Sequence, residues 1–241
     1  MSKETRQLTL SEIKNNWGSG LISLVTFLLL FPVVGSTKMM NNQMPVQFLQ
    51  SPYLVLFINF GMLSLLFNSS VNRKRMYNSL DLIKRDQSTK ELIFLNLFPI
   101  KTSAIVASRY LHTLVQWALC FILGSALIYS FDLIPMSLSS YIYLIVLLAS
   151  SSLLFCSLYL YMELNYSLKH YSKFILISWI IIMLISLYTA MIHNWLWGFY
   201  IIDLAETETM QTFITLPISF IIYYVSYRFA IQKLKKRDLA I

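Results

Sequence analysis

Residues 139–161, with the sequence SSYIYLIVLLASSSLLFCSLYLY, form a long run without a charged side chain. A membrane-spanning helix needs about 20 mainly apolar residues, so this run is long enough to cross a bilayer. Strands of membrane barrels alternate in hydrophobicity over about 10 residues, so a continuously apolar run indicates a helix. Five further runs are similarly apolar, at residues 19–36, 53–71, 110–131, 174–192 and 211–230. The sequence therefore predicts an all-α, polytopic membrane protein with six transmembrane helices in one domain, 1–241.

The composition of the whole chain supports the same class. Of its 241 residues, 57% are hydrophobic and 12% are charged, with a mean hydropathy of +0.62. A soluble domain carries about 25% charged residues, and disordered or collagenous chains are poor in the long apolar runs found here. The same features exclude a nucleic-acid-binding protein, despite the net charge of +8. Cys120 and Cys156 both lie inside apolar runs, so we expect buried apolar residues rather than a disulfide or a metal site.

The distribution of basic residues predicts the orientation. Of the 19 Lys and Arg residues, all except Lys38 fall in segments that six spans place on one side of the membrane. Cytoplasmic segments carry an excess of Lys and Arg. We therefore expect a multi-pass protein of the cell (plasma) membrane with both termini in the cytoplasm, together with a loop at 72–109, a loop at 162–173 and a basic tail at 231–241.

The N-terminal segment, 1–18, is predicted to form an amphipathic helix. Leu10, Ile13 and Trp17 recur at helical spacing among charged residues, as in helices that lie in the membrane interface. A solvated tail is the alternative, because the apolar stripe is narrow.

No span carries an ionisable residue near its midpoint, which argues against a proton-coupled or ion-coupled transporter. His112 and Arg228 lie at the cytoplasmic ends of spans, where we expect their side chains to reach toward water. The small residues of 149–152 predict close approach of another helix. Three tyrosines at the inner end of the sixth span predict an interfacial anchor: Tyr223, Tyr224 and Tyr227.

The loop at 72–109 contains the most informative polar segment. Residues 91–101, ELIFLNLFPIK, are apolar but too short to span, and Pro99 ends the run. Ser88 followed by Glu91 three residues later is typical of a helix start. An exposed apolar helix needs a partner or a lipid surface, and the residues alone do not separate these two.

Residues 98–111, FPIKTSAIVASRYL, resemble the pattern before the third span in ABC transporter permeases of the type-2, exporter class. The resemblance implies six spans, an N-terminal connecting helix, and a coupling helix between spans 2 and 3 that seats on an ATPase subunit. It implies ATPase contact by six positions: Glu91, Leu95, Phe98, Pro99, Ile100 and Lys101. Thr102 and Ala104 depart from the family's common basic and acidic residues, which puts individual salt bridges in question.

The chain has no phosphate-binding loop of its own. None of its six glycines begins the pattern G-x-x-x-x-G-K-[ST], whose backbone amides and Lys hold nucleotide phosphates. We therefore expect this chain not to be an enzyme and to hold no cofactor. The resemblance implies that ATP and Mg²⁺ bind to separate ABC ATPase subunits, and six spans imply pairing with a second copy or a sibling permease.

The spans offer apolar and hydroxyl groups rather than charges, which favours a hydrophobic or amphipathic substrate, such as a membrane-active peptide or a lipid-like compound. Small type-2 ABC permeases, the class that this chain resembles, often serve peptide toxin export or bacteriocin immunity. The amino-acid composition of the chain is typical of a bacterium with an AT-rich genome. The family's arrangement implies six path-lining residues: Asn59, Ser64, Asn68, Ser178, Ser186 and Tyr188. Helix packing is the alternative role for each of them. A non-transporting sensor or scaffold that docks partners on 72–109 is the alternative function.

Overall fold

A computed structural model describes residues 3–43, 51–68, 100–131, 136–192 and 211–236, with the single positions 92, 95, 197, 201, 204, 205 and 207. The longer described ranges form the helices α1 (Lys3–Gln43), α2 (Pro52–Asn68), α3 (Thr102–Ser130), α4 (Leu138–Asn165), α5 (Leu168–Ile192) and α6 (Gln211–Lys236). No β-strand occurs within these described residues. The all-α prediction is confirmed for this part of the chain.

Four helices of the described part are long and apolar enough to cross a membrane: Thr102–Ser130, Leu138–Asn165, Lys169–Ile192 and Thr212–Lys236. They correspond to the third to sixth predicted spans. The first predicted span, 19–36, lies inside α1, and α2 covers most of the second. The total of six spans stays a prediction.

The helix α4 lies at the centre of the described bundle and packs against both α3 and α6. Trp117 Nε1 donates to the carbonyl of Ala149 at 3.2 Å, and Thr215 Oγ1 donates to Ser150 Oγ at 3.0 Å. Both contacts use the small residues of 149–152, which let two neighbouring helices come close. The close approach predicted for this run is confirmed.

Helix direction differs between the pairs of this core: α4 and α6 run parallel, whereas α3 runs antiparallel to both. The hydroxyl of Tyr141 donates to the carbonyl of Ser125, near the end of α3 and the start of α4, so these two helices are antiparallel. Only Tyr166 and Ser167 separate α4 from α5. The first turns of α3 and α5 therefore lie at the same end of the bundle as the last turns of α4 and α6. We call this the basic end, after its lysines: Lys101, Lys169, Lys173, Lys233, Lys235 and Lys236.

The helix α1 runs parallel to α3. Gly20 lies against Gln116, so that a Cβ at Gly20 would be 3.6 Å from the Gln116 amide nitrogen. Further along both helices, Gly124 faces Phe27, and a Cβ at Gly124 would be only 2.4 Å from the Phe27 ring. Glycine at 124 is therefore what allows the buried Phe27 ring to pack against α3.

The structure corrects the N-terminal boundary. Residues 3–43 form one continuous helix, not a connecting helix of 1–18 separate from the first span. The inward face of its first turns is polar, with Thr5 and Thr9 buried, whereas Leu10 is 56% and Trp17 is 66% exposed. The two threonines thus pack on the protein, whereas Leu10 and Trp17 point away from it together with the charged side chains of Lys3, Glu4, Arg6 and Lys14.

The last helix also extends past its predicted limit. α6 continues to Lys236, so the first half of the predicted tail 231–241 is helical. Lys233 Nζ lies 3.7 Å from the centre of the Tyr166 ring and donates to the Tyr166 hydroxyl. A cation above an aromatic ring is attracted by the electron-rich face. This contact fastens the end of α6 to the turn between α4 and α5.

Candidate coupling site

The described residues before α3 attach to the bundle core. Leu92 is helical and only 3% exposed, and Leu95 is helical and half-buried. Leu95 and Ile100 both pack against the main hydrophobic core, while the Lys101 side chain is exposed. Glu91, Phe98 and Pro99, the other predicted coupling positions, lie outside the described residues. Leu92, Leu95 and Ile100 thus pack on the bundle, whereas the Lys101 side chain points outward.

Ile100 and Lys101 lead directly into α3. Lys101 is the N-cap residue, with φ −63° and ψ 133°, and its carbonyl accepts from the backbone N–H of Ala104 at 2.7 Å. The first turn of α3 is itself deeply buried through Ala104 and Ile105. α3 therefore begins inside the predicted loop at 72–109, and a displacement of Ile100 is passed directly to α3.

A buried group of charged side chains lies two turns into α3. Arg109 Nε is 3.1 Å from Glu12 Oε1 of α1, and Arg109 Nη1 is 3.6 Å from Glu163 Oε1 of α4. His112 Nδ1 is 3.9 Å from Glu12 Oε2. We call Glu12, Arg109, His112 and Glu163 the charge cluster. One guanidinium thereby links three helices at the basic end.

Because the charge cluster is buried, loss of one of its charges costs more free energy than loss of one charge from a surface ion pair. The Arg109, Glu12 and Glu163 side chains are only 7%, 17% and 14% exposed. Desolvating such charges is costly, and removing one partner of a buried pair costs about 3–5 kcal/mol. The cluster therefore fixes the position of α3 relative to α1 and α4.

The charge cluster was not predicted from the sequence. The prediction that the His112 side chain reaches toward water is wrong. The His112 side chain is buried beside Glu12 rather than reaching toward water. Two spacings in the sequence were informative. Arg109, His112 and Gln116 share one face of a helix, and so do Glu12 and Asn16. The sequence does not specify the register of α1 against α3 that brings these two faces together.

One hydrogen-bonded network holds α3, α4 and α6 near the same end. The hydroxyl of Tyr223 donates to the carbonyl of Tyr110 at 2.7 Å, and the Tyr110 and Ser226 hydroxyls are 2.8 Å apart. Ser226 Oγ in turn donates to the carbonyl of Ser157 at 3.0 Å. Tyr223 is buried, so the prediction that it anchors the protein in the interface is wrong. Tyr224 beside it is exposed.

Two predicted path residues meet at the interface of α2 and α5. Asn59 is fully buried; its Nδ2 donates to Thr189 Oγ1 at 3.1 Å, and its Oδ1 accepts from the Trp197 backbone N–H at 2.9 Å. Ser186 is also fully buried, and its hydroxyl donates to the carbonyl of Ile182 at 2.8 Å. Both side chains are therefore engaged within the protein.

The other predicted path residues are not brought to this interface. The Ser178 hydroxyl donates to the carbonyl of Phe174 at 2.9 Å, and Tyr188 is exposed on the opposite side of α5 from Ser186. Residues two apart on a helix point in different directions. The side chains of Ser64 and Asn68 lie outside the described residues.

Comparison with protein families gives one match. The model of the ABC-2 family transporter proteins matches residues 75–235, about two thirds of the chain. The chain belongs to the ABC-2 transporter family. No curated protein and no solved structure gives a significant match.

The ABC-2 match begins before α3 and continues almost to the end of α6. It therefore includes the predicted coupling segment and, apart from the last residue of α6, the four described helices that are long enough to cross a membrane. Membership identifies the chain as a multi-pass membrane component of an ABC transporter, of a family that works with ABC ATPases. The ABC-2 relationship was predicted from the pattern of residues 98–111 together with the predicted layout of the spans. Cys120 and Cys156 are both buried, as expected from the sequence.

Proposed function

We propose that this ABC-2 protein is the permease subunit of an ATP-driven exporter that moves a hydrophobic or amphipathic substrate out of the cell or membrane. ABC ATPase subunits dock on the loop at 72–109 and carry the ATP and Mg²⁺. Two permease chains, identical or related, complete the transporter. The basic end faces the cytoplasm, as the excess of Lys and Arg on this side indicates.

One observation carries the coupling part of the proposal. The described residues Leu92, Leu95 and Ile100 pack on the core, and Ile100 and Lys101 lead directly into α3. Two turns later Arg109 contacts both α1 and α4. Force applied to this segment by an ATPase is therefore passed to three helices by packed, charged contacts rather than absorbed by a loop.

The substrate class rests on the chemistry of the spans. The described helices expose large apolar side chains, and the buried polar side chains described in α2 and α5 are Asn59, Ser186 and Thr189, an amide and two hydroxyls rather than charges. Such surfaces suit a membrane-active peptide or a lipid-like compound. Asn59, at the meeting of α2 and α5, is the path residue whose hydrogen bond to Thr189 would open if those helices separated. The Ser186 hydroxyl bonds to Ile182 within α5 and would keep that bond.

The first experiment identifies the partner. The tagged chain is purified from native membranes in mild detergent, copurifying proteins are identified by mass spectrometry, and ATP hydrolysis by the eluate is measured. We expect a stoichiometric ATPase with a phosphate-binding loop. Phe98→Asp is expected to remove it, while Phe131→Asp, the same change in an exposed residue at the other end of α3, is expected to retain it.

Recovery of the chain alone, without ATPase activity and without a difference between the two variants, would contradict the exporter proposal. That result would favour a sensor or scaffold. Substrate movement is tested separately in vesicles that contain the purified complex. ATP-dependent accumulation of an amphipathic peptide supports the substrate class, and its absence for peptides and lipid analogues alike contradicts it.

A further inference from the structure

A cavity of about 700 Å³ lies between α3 and α6 at the basic end. Ser103, Ala107 and Leu114 of α3 form one side of it, and Phe220 and Tyr224 of α6 form much of the other. We call this the α3–α6 cavity. Sites for small ligands have volumes of about 300–1,000 Å³, so the space is large enough for one molecule.

The helices that form the cavity are held apart by fixed contacts. Its α3 side carries small residues, including Ala104 and Ala107, opposite large aromatic rings of α6. At the back, the Tyr223 hydroxyl donates to the Tyr110 carbonyl, and the rings of these tyrosines meet edge to face at 5.0 Å. The cavity is therefore a consequence of bonded side chains and small residues, and is formed before any ligand binds.

The cavity has the length of one membrane leaflet. It extends along α3 from Lys101 to Leu114, which at 1.5 Å per residue is about 20 Å. Half of the hydrocarbon core is about 15 Å thick. Phe220 and Tyr224 at its edge are exposed, so it opens sideways from the bundle, where lipid would surround a membrane protein. Its long axis is thus parallel to the acyl chains of that leaflet.

The charge of the cavity is confined to its mouth. Among the described residues that line the cavity, Lys101 contributes the one charged side chain and none is a carboxylate. Lys101 is exposed at the start of α3, at the level of the other basic residues. Below it, alanine, leucine and aromatic side chains line an apolar space. This arrangement complements a molecule with one anionic head and a long apolar chain.

We propose that the α3–α6 cavity binds an anionic glycerophospholipid from the leaflet at the basic end, with its phosphate at Lys101 and one acyl chain along α3. The site does not depend on the exporter proposal, since a lipid can occupy it whether or not the chain transports a substrate.

Photolabelling of the intact protein tests the proposal. The purified chain is placed in phosphatidylcholine nanodiscs containing phosphatidylglycerol with a photoactivatable acyl chain, irradiated, and mapped by mass spectrometry. We expect label in peptides 103–114 and 220–227. Phosphatidylcholine with the same photoactivatable chain is expected to label these peptides several-fold less.

Two pairs of variants separate the cavity from general lipid contact. Ala107→Trp fills the cavity and is expected to reduce its labelling to the level of the neutral lipid, whereas Ala126→Trp, on an exposed part of α3, is expected to have no effect. Lys101→Gln is expected to lower the preference for phosphatidylglycerol about fivefold. Lys169→Gln, an exposed lysine at the same end, is the control.

Equal labelling of the cavity by both lipids, or labelling that Ala107→Trp leaves unchanged, would overturn the proposal. Crosslinking of two protein chains through peptides 103–114 and 220–227 would overturn it as well, because a second copy would then occupy the cavity. Lys101→Gln alters an exposed side chain, so its result stands even if Ala107→Trp does not fold.

Discussion

Replacing Arg109 with Gln removes the guanidinium that faces Glu12 and Glu163. Arg109 Nε lies 3.1 Å from Glu12 and Arg109 Nη1 lies 3.6 Å from Glu163, with all three side chains less than a fifth exposed. The variant leaves two buried carboxylates without their cation. We expect a loss of about 3–5 kcal/mol in the free energy of unfolding, the cost of breaking a buried ion pair. For a chain of this size the melting temperature falls by about 2–4 °C per kcal/mol.

The measurement is thermal unfolding of the purified protein in detergent, with Arg228→Gln as a matched control. Arg228 is exposed on α6, and its substitution is expected to change stability by no more than about 0.5 kcal/mol. A double-mutant cycle then isolates the contact. Because Arg109 and Glu12 touch, the losses for Arg109→Gln and Glu12→Gln are expected to differ from additivity by about 1–3 kcal/mol.

Glu12 and Glu163 are expected to differ in their interaction energy with Arg109. The cycle of Arg109 with Glu163 has the longer contact, 3.6 Å against 3.1 Å, so its interaction energy is expected to be the smaller. Additive losses in both cycles, or an Arg109→Gln variant as stable as Arg228→Gln, would refute the reasoning that Arg109 holds three helices together.

Gly124→Ala is expected to cost about 1–3 kcal/mol, because the new Cβ would be 2.4 Å from the buried Phe27 ring, whereas Gly61→Ala, with nothing within 4 Å, should not destabilise the protein. Equal melting temperatures for the two variants would contradict the close packing of α1 on α3. Asn59→Ala is expected to cost about 1–3 kcal/mol, because it removes the side-chain acceptor of the part-buried Trp197 backbone N–H. Thr189→Val removes one side of a single Asn59 hydrogen bond and should cost less in the same unfolding assay, and the reverse order would contradict the assignment.

The sequence was most informative about α3 to α6. Long apolar runs can hardly form anything but helices in a membrane, because every backbone polar group must be bonded internally. Hydropathy marks only the part of a helix that crosses hydrocarbon, which is why α3 begins at Thr102 rather than 110 and α6 continues to Lys236 rather than 230. Helix existence was therefore predictable, and helix ends were not.

The charge cluster could not be predicted from a single sequence. Arg109 and Glu12 are far apart in the chain, and their contact depends on the parallel register of α1 and α3, which no local pattern specifies. The same is true of Tyr223, whose position near an interface predicted an anchor but whose hydroxyl bonds to Tyr110 instead. The coupling segment was recognised by resemblance, because its family pattern is local.

The polar inward face of α1 has a consequence for how the chain is made. Glu12 is synthesised long before Arg109, so during synthesis it has no cation to meet. In that period the apolar side with Leu10 and Trp17 suits a segment floating at the membrane surface, as amphipathic helices do. We expect the first turns of α1 to leave the surface only after α3 has been inserted. The surface helix predicted from the sequence would then be the state of α1 in the nascent chain. The helix packed on α3 is its state in the folded protein.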